Sequence, residues 1–103
     1  MNYILGERET GAGRHVVSVD GELDMTAAPE LRDAIHAAID AGAVTVVVDL
    51  DDVTFIDSTA IGVLMAARQR LRQAGGSLEL VCGEPNVVRI LEIVGIRAVA
   101  GAS

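Results

Sequence analysis

Residues 44–71 read VTVVVDLDDVTFIDSTAIGVLMAARQRL, and this stretch decides the fold. Val44, Val46, Val47, Val48 and Leu50 bracket only Thr45 and Asp49, too uniform an apolar run for a one-sided strand. The pattern predicts a central strand buried on both faces, ending near Asp49–Leu50. Asp51 to Ile56 then reads as a short acidic loop. Directly after Asp57-Ser58-Thr59 the period changes, with Ile61, Leu64, Met65 and Leu71 at helical spacing. Small hydroxyl residues therefore stand where a helix begins, beside the positive end of its dipole. A serine there can cap the helix or accept a phosphate, and residue chemistry alone leaves both readings open.

Working outward, the same logic predicts strands near Tyr3–Glu9, His15–Asp20, Val44–Leu50 and Ser77–Cys82, with a short last strand at Ala98–Ala100. Helix 1 is expected over Ala27–Ala41. Thr26 is its cap, Pro29 lies in the first turn, Leu31, Ile35, Ala38 and Ile39 form the buried stripe, and Gly42 follows the end. Helix 2 is expected from Thr59 to Ala74, stopping at Gly75-Gly76. Helix 3 is expected over Pro85–Val94, with Val87, Ile90, Leu91 and Val94 on one face and Gly95 as its terminal cap. Strands alternating with helices predict an α/β fold with helices packed on a sheet.

Length and composition bound the function. A chain of 103 residues, half of them hydrophobic, buries one core and is not a disordered tail. Tyr3 and Phe55 are the only aromatics, so the core is aliphatic. The longest apolar run, Ala60 to Ala67, is far short of the roughly 18 residues of a membrane span. No basic segment followed by an apolar stretch opens the chain, so the expected compartment is the cytoplasm. A single cysteine, Cys82, excludes an internal disulfide and reads as core. The net charge of −7 argues against nucleic acid, which demands clustered cations. Arg68, Arg70 and Arg72 are close together but suit the end of a helix, where they complement its dipole.

Catalytic readings are weak. Ser58 with His15 or His36 as base lacks a Gly-x-Ser-x-Gly elbow, and His36 falls on the expected outer side of helix 1. Asp49, Asp51, Asp52 and Asp57 lack the pattern of a calcium loop, because Val53 stands where a ligand belongs and Thr54 where the loop approaches its glycine. The strand Val46–Leu50 is similar to that of a two-component receiver, but the chain contains neither a lysine nor an acidic pair after its first strand.

Several blocks in order resemble the STAS domain, and within it the bacterial anti-sigma factor antagonists. They are Gly21-Glu22-Leu23-Asp24, the strand ending Asp49-Leu50, Phe55-Ile56-Asp57-Ser58-Thr59, Ile61-Gly62-Val63-Leu64, Ala74-Gly75-Gly76 and Leu91 to Ile96. Ala60 departs from the family's usual glycine and adds a methyl group next to the site. The resemblance covers roughly residues 14 to 100 and implies one STAS domain over 1–103. Its fold is a mixed sheet of four to five strands with about three helices mainly on one face. A further C-terminal helix, usual in the family, is expected to be absent or a stub. The resemblance implies a non-enzymatic regulator without cofactor or metal. Its unphosphorylated form binds an anti-sigma factor that is a serine kinase of the histidine-kinase-like ATPase class and so frees a sigma factor. The kinase phosphorylates Ser58, with Thr59 as rival acceptor, and a PP2C-type phosphatase resets the switch. Asp24, Met25, Asp57, Thr59, Ile61 and Gly62 are expected beside the site or against the partner. Neither nucleic-acid binding nor membrane insertion is implied. The same resemblance also covers accessory subunits of lipid-transporting ABC systems and scaffolds of signalling complexes.

Overall fold

A computed structural model describes residues 3–96 and, for the backbone, 98–99. The chain forms β1 (Tyr3–Gly11), β2 (Arg14–Leu23), α1 (Ala28–Asp40), β3 (Thr45–Ile56), α2 (Ser58–Gln73), β4 (Ser77–Val81), α3 (Pro85–Ile93) and β5 (Ala98–Val99). Strand order in the sheet follows chain order, β1-β2-β3-β4-β5. β1 and β2 are an antiparallel hairpin, and every later neighbour is parallel. The expected mixed sheet with three helices is therefore present. The expectation at Ala100 and that of a C-terminal helix or stub lie outside the described residues.

The topology dictates where the helices go. From β2 onward each helix carries the chain one strand further in the same direction across the sheet. Right-handed crossovers that all step the same way deposit their helices on the same face. The result is a single aliphatic core. Val17, Val19, Val46, Val48, Leu50 and Leu80 of the sheet lie beneath Leu31 and Ile35 of α1, Leu64 and Leu71 of α2, and Val87 and Leu91 of α3. Among the described residues no polar or charged side chain is buried. Tyr3 donates its hydroxyl proton to Glu30 Oε1 at 2.6 Å and ties β1 to the first turn of α1. The expected burial of the central strand on both faces holds at Val46, Val47, Val48 and Leu50, but helices cover only one of the two faces. Val47 is only 5 % exposed, yet it stands outside the helix-covered core, shielded by neighbours in the sheet itself.

The acidic segment is also not a loop. β3 continues through Asp51 and Asp52 to Ile56, so Asp49 lies well inside the strand. Two shifts in register against β2 absorb the extra β3 residues, one between Ser18 and Asp20 and one between Gly21 and Glu22. Bulges of this kind re-aim side chains. Here they bring Leu50, Val53 and Ile56, spaced by three rather than two, all into the core. A spacing of three does not read as a strand, which is why the sequence pattern predicts a loop. β2 likewise runs to Leu23, so Gly21-Glu22-Leu23 is strand.

All three helices end alike. In α2 the Gly76 amide donates to Leu71 O at 2.7 Å and the Gly75 amide to Arg72 O at 3.1 Å, a Schellman closure. Gly75 takes φ +81°. A Cβ on Gly76 would stand 2.2 Å from Val44 O, so the close passage of the chain into β4 demands glycine there. Gly42 and Gly95 end α1 and α3 with φ of +98° and +83°, as expected. Arg68 donates to Gly95 O at 3.1 Å, so this arginine serves the end of α3 as well as lying near the end of its own helix. Arg70 bonds Asp40 Oδ1 at 2.6 Å and His36 Nδ1. His36 is accordingly half-buried between α1 and α2, not on an outer face. Met65, one of the apolar residues at helical spacing in α2, is 39 % exposed.

Candidate functional site

The site forms where β2 and β3 end side by side. Leu23 pairs with Ile56, and the Asp57 amide donates to Leu23 O at 3.3 Å. That bond carries the sheet up to the residue at which α2 starts. Asp57 has extended backbone, with φ −114° and ψ 178°. Its Oδ1 accepts from the Ala60 amide at 3.0 Å, and its carbonyl accepts from the Ile61 amide at 3.0 Å. Asp57, not a hydroxyl, is therefore the N-cap, and the reading of Ser58 or Thr59 as the cap is corrected. A carboxylate caps as well as a hydroxyl and adds favourable charge at the helix N-terminus.

Ser58 and Thr59 are the first two helical residues, and both are exposed. Their amides lie in the first turn, where no intrahelical acceptor exists. Two hydroxyls thus sit in solvent at the positive end of a sixteen-residue helix. Ala60 and Ile61 turn inward instead, at 0 % and 9 % exposure. The methyl of Ala60 is core and does not crowd the hydroxyls. Ile61, expected to face the partner, supports α2 from beneath. Gly62 is exposed one turn beyond Ser58, and a Cβ there would meet no atom within 4 Å.

Asp24 holds the turn that leads into α1. Its Oδ1 accepts from the amides of Thr26 at 2.9 Å and Ala27 at 3.1 Å, and its carbonyl from Ala28 at 2.9 Å. Thr26 is not the cap. The N-cap position is Ala27, whose own side chain makes no capping hydrogen bond. Asp24 and Asp57 are therefore both committed to starting helices on adjacent strand ends. Thr54 Oγ1 donates to Gly21 O at 3.4 Å and adds a cross-link between those strands.

Around the hydroxyls lie exposed apolar side chains. Met25 is 67 % exposed and Phe55 is 49 % exposed. Sequence reasoning placed Phe55 only in a loop. Its signal was available, since an aromatic two residues before Asp57 in a chain with two aromatics is conspicuous. With Met65 on α2 these residues give the site an apolar border. His15 is at the opposite end of β2 and pairs with Glu9. The partner of His36, Arg70, is twelve residues from Ser58 along α2, about 18 Å away at helical rise. Neither imidazole reaches Ser58. Among the described residues no three His, Cys, Asp or Glu side chains are placed to hold a metal ion. Asp49 instead bonds the Asp51 amide at 3.0 Å. No helix of the described residues is long and apolar enough to cross a membrane.

Two paired strand ends, a carboxylate-held turn, a carboxylate cap and an exposed hydroxyl pair bordered by apolar side chains form the candidate site. The chain belongs to the STAS domain family, which matches residues 7–100. It is 31 % identical over 87 residues to an anti-sigma-B factor antagonist of Bacillus subtilis, covering 84 % of this chain and 79 % of that protein. It is also similar to the structure of an anti-sigma factor antagonist from Mycobacterium paratuberculosis. There the identity is 28 % and the TM-score 0.83, over 96 % of this chain and 86 % of the other. The fold is shared with the Bacillus cell fate determinant SpoIIAA in its phosphorylated form. That match has a TM-score of 0.81 at 21 % identity and covers 97 % and 93 % of the two chains.

Proposed function

We propose that this protein is an anti-sigma factor antagonist switched by phosphorylation of Ser58. The observation that carries the reading is the division of labour at the start of α2. Asp57 holds the cap, so the exposed Ser58 hydroxyl is available for modification without uncapping the helix. The relatives named as anti-sigma factor antagonists support the role. In this reading the unphosphorylated protein binds an anti-sigma factor that is a serine kinase of the histidine-kinase-like ATPase class. The sigma factor is thereby released. Phosphorylation at Ser58 ends the complex, and a PP2C-type phosphatase restores it. The protein is ligand and substrate in the cytoplasm, not catalyst.

The physics of the switch is local. A phosphate adds about −1.5 to −2 charges. The helix N-terminus favours an anion by about 0.3–1 kcal/mol, and the Asp57 and Asp24 carboxylates offset part of that gain. The fold therefore tolerates the modification, and the partner does not. A hundredfold loss of affinity needs only about 2.7 kcal/mol. Desolvating a phosphate against a surface that offers it no arginine supplies that cost. Met25, Phe55 and Gly62 are the contacts assigned to the partner, beside Asp24, Asp57 and Thr59.

The test treats wild type, Ser58→Ala and Thr59→Ala with the cognate kinase and ATP and maps phosphate by mass spectrometry. Phosphate on wild type and Thr59→Ala, and none on Ser58→Ala, is the expected result. Phosphate that persists on Ser58→Ala and disappears from Thr59→Ala moves the switch to Thr59. No phosphate on any of the three, with an active kinase, turns the assignment toward a transporter-associated STAS subunit.

A further inference from the structure

Gly62 is out of place in α2. It lies inside a sixteen-residue helix, on the exposed side, and its φ is not positive. A Cβ at this position would meet no atom within 4 Å. Neither backbone conformation nor packing calls for glycine, the poorest helix former after proline. What the glycine leaves open is the space over Ser58. Side chains on a helix lean toward its N-terminus, so each covers the surface one turn before its own Cα. Residues 61 and 62 are the ones that could cover Ser58. Ile61 turns into the core at 9 % exposure, and Gly62 has no side chain. The next outward side chain on that line is Met65, about 10 Å from Ser58 along the axis. Thr59 is placed differently. Its neighbour one turn on is Val63, half-buried against the core, and the lean of the helix carries that branched side chain over Thr59.

We infer, on the reading of Ser58 as the phosphorylated residue, that Gly62 selects Ser58 over Thr59 by leaving the approach to the Ser58 hydroxyl clear. In the transfer the Ser58 Oγ bonds to the γ-phosphorus of ATP. The bond from that phosphorus to the β–γ bridging oxygen breaks, ADP leaves, and the hydroxyl proton passes to a base of the kinase. Attacking and leaving oxygens stand roughly in line through the phosphorus, and the reacting atoms must come within about 3–3.5 Å of each other. The triphosphate and the kinase wall that holds it therefore need an open corridor to Oγ. A Cβ at position 62 lies about 5–6 Å from that of Ser58. A methyl there narrows the corridor, and a leucine side chain leaning back one turn fills it. Gly62 touches no reacting atom. It acts through the space it leaves, as a specificity residue, and the helix gives up intrinsic stability to keep it.

Steady-state phosphorylation by the cognate anti-sigma kinase with ATP, on wild type, Gly62→Ala and Gly62→Leu, tests the inference. Phosphate is mapped by mass spectrometry, and each variant is unfolded in urea. The kcat is expected to fall for Gly62→Ala and to fall further, by about a hundredfold, for Gly62→Leu. Both variants should resist urea at least as well as wild type, since alanine and leucine are better helix formers than glycine. A loss of phosphorylation then has no origin in unfolding. Ser58→Ala combined with Thr59→Ser puts a serine beneath Val63 and is expected to stay unmodified. Phosphorylation of Gly62→Leu at the wild-type rate overturns the inference. So does a loss confined to KM, which makes Gly62 a docking contact only, or phosphate on the serine introduced at position 59. Wild type left unmodified by an active kinase is a separate result, which removes the function proposed above together with this role for Gly62.

Discussion

Asp57 and Ser58 are neighbours with separate duties, and that separation can be measured. Asp57→Ala removes the carboxylate that accepts from the Ala60 amide. Loss of such a cap lowers stability by about 0.5–2 kcal/mol. Ser58→Ala removes a hydroxyl that is not the cap, and an exposed substitution of this kind shifts stability by less than about 0.5 kcal/mol. Urea unfolding of the two variants checks the order, and equal losses would return the capping role to Ser58. Asp24 closes the turn just ahead of α1, as Asp57 caps α2 directly. The two aspartates set the geometry of the site by fixing where both helices begin.

At the scale of the element, α2 joins a surface to a core. Its inner positions, Ala60, Ile61, Leu64, Ala67 and Leu71, are buried, while Ser58, Gly62 and Met65 follow one another at helical spacing on the outside. Gly62 has no conformational or packing reason to be glycine, because its surroundings leave room for a Cβ. Gly62→Ala therefore stabilises the chain by about 0.8–1 kcal/mol through helix propensity. If the partner packs closely over this turn, the same methyl weakens partner binding, and calorimetry with the kinase reads that cost. Gly76→Ala is the contrasting case. Its methyl collides with the Val44 carbonyl, so the variant loses stability in the same unfolding assay.

For the molecule as a whole, the one-sided core makes Cys82 a reporter of global unfolding. Cys82 is 2 % exposed within the shared core. Burial pushes its thiol above the ordinary value of 9.0. The native state thus holds the thiol proton more tightly than the unfolded chain does. Its contribution to stability is complete below the unfolded value and is lost as pH rises through and beyond it. Alkylation of Cys82 is expected to be slow in the native protein and fast in denaturant, with stability falling on the alkaline side. Rapid native alkylation at neutral pH would show that the core opens locally at this end of β4.

Local pattern and turn chemistry determined much of this protein. The period of Leu31, Ile35 and Ala38, the glycines after each helix and the apolar run Val46–Leu50 specify elements through backbone sterics and side-chain periodicity, which act over a few residues. The ordered blocks around Asp57-Ser58-Thr59 pointed to the candidate site. Tertiary structure alone decided three things. A strand with apolar residues in sequence can have either face covered, and only the one-way progression of crossovers left Val47 on the bare side. The segment from Asp51 to Ile56 became strand because β2 pairs with it through two register shifts, a long-range constraint that overrides weak local propensity. Which of three adjacent polar residues capped α2 was set by the bond from the Asp57 amide to Leu23 O, which aims that carboxylate at the helix and leaves the Ser58 hydroxyl to solvent.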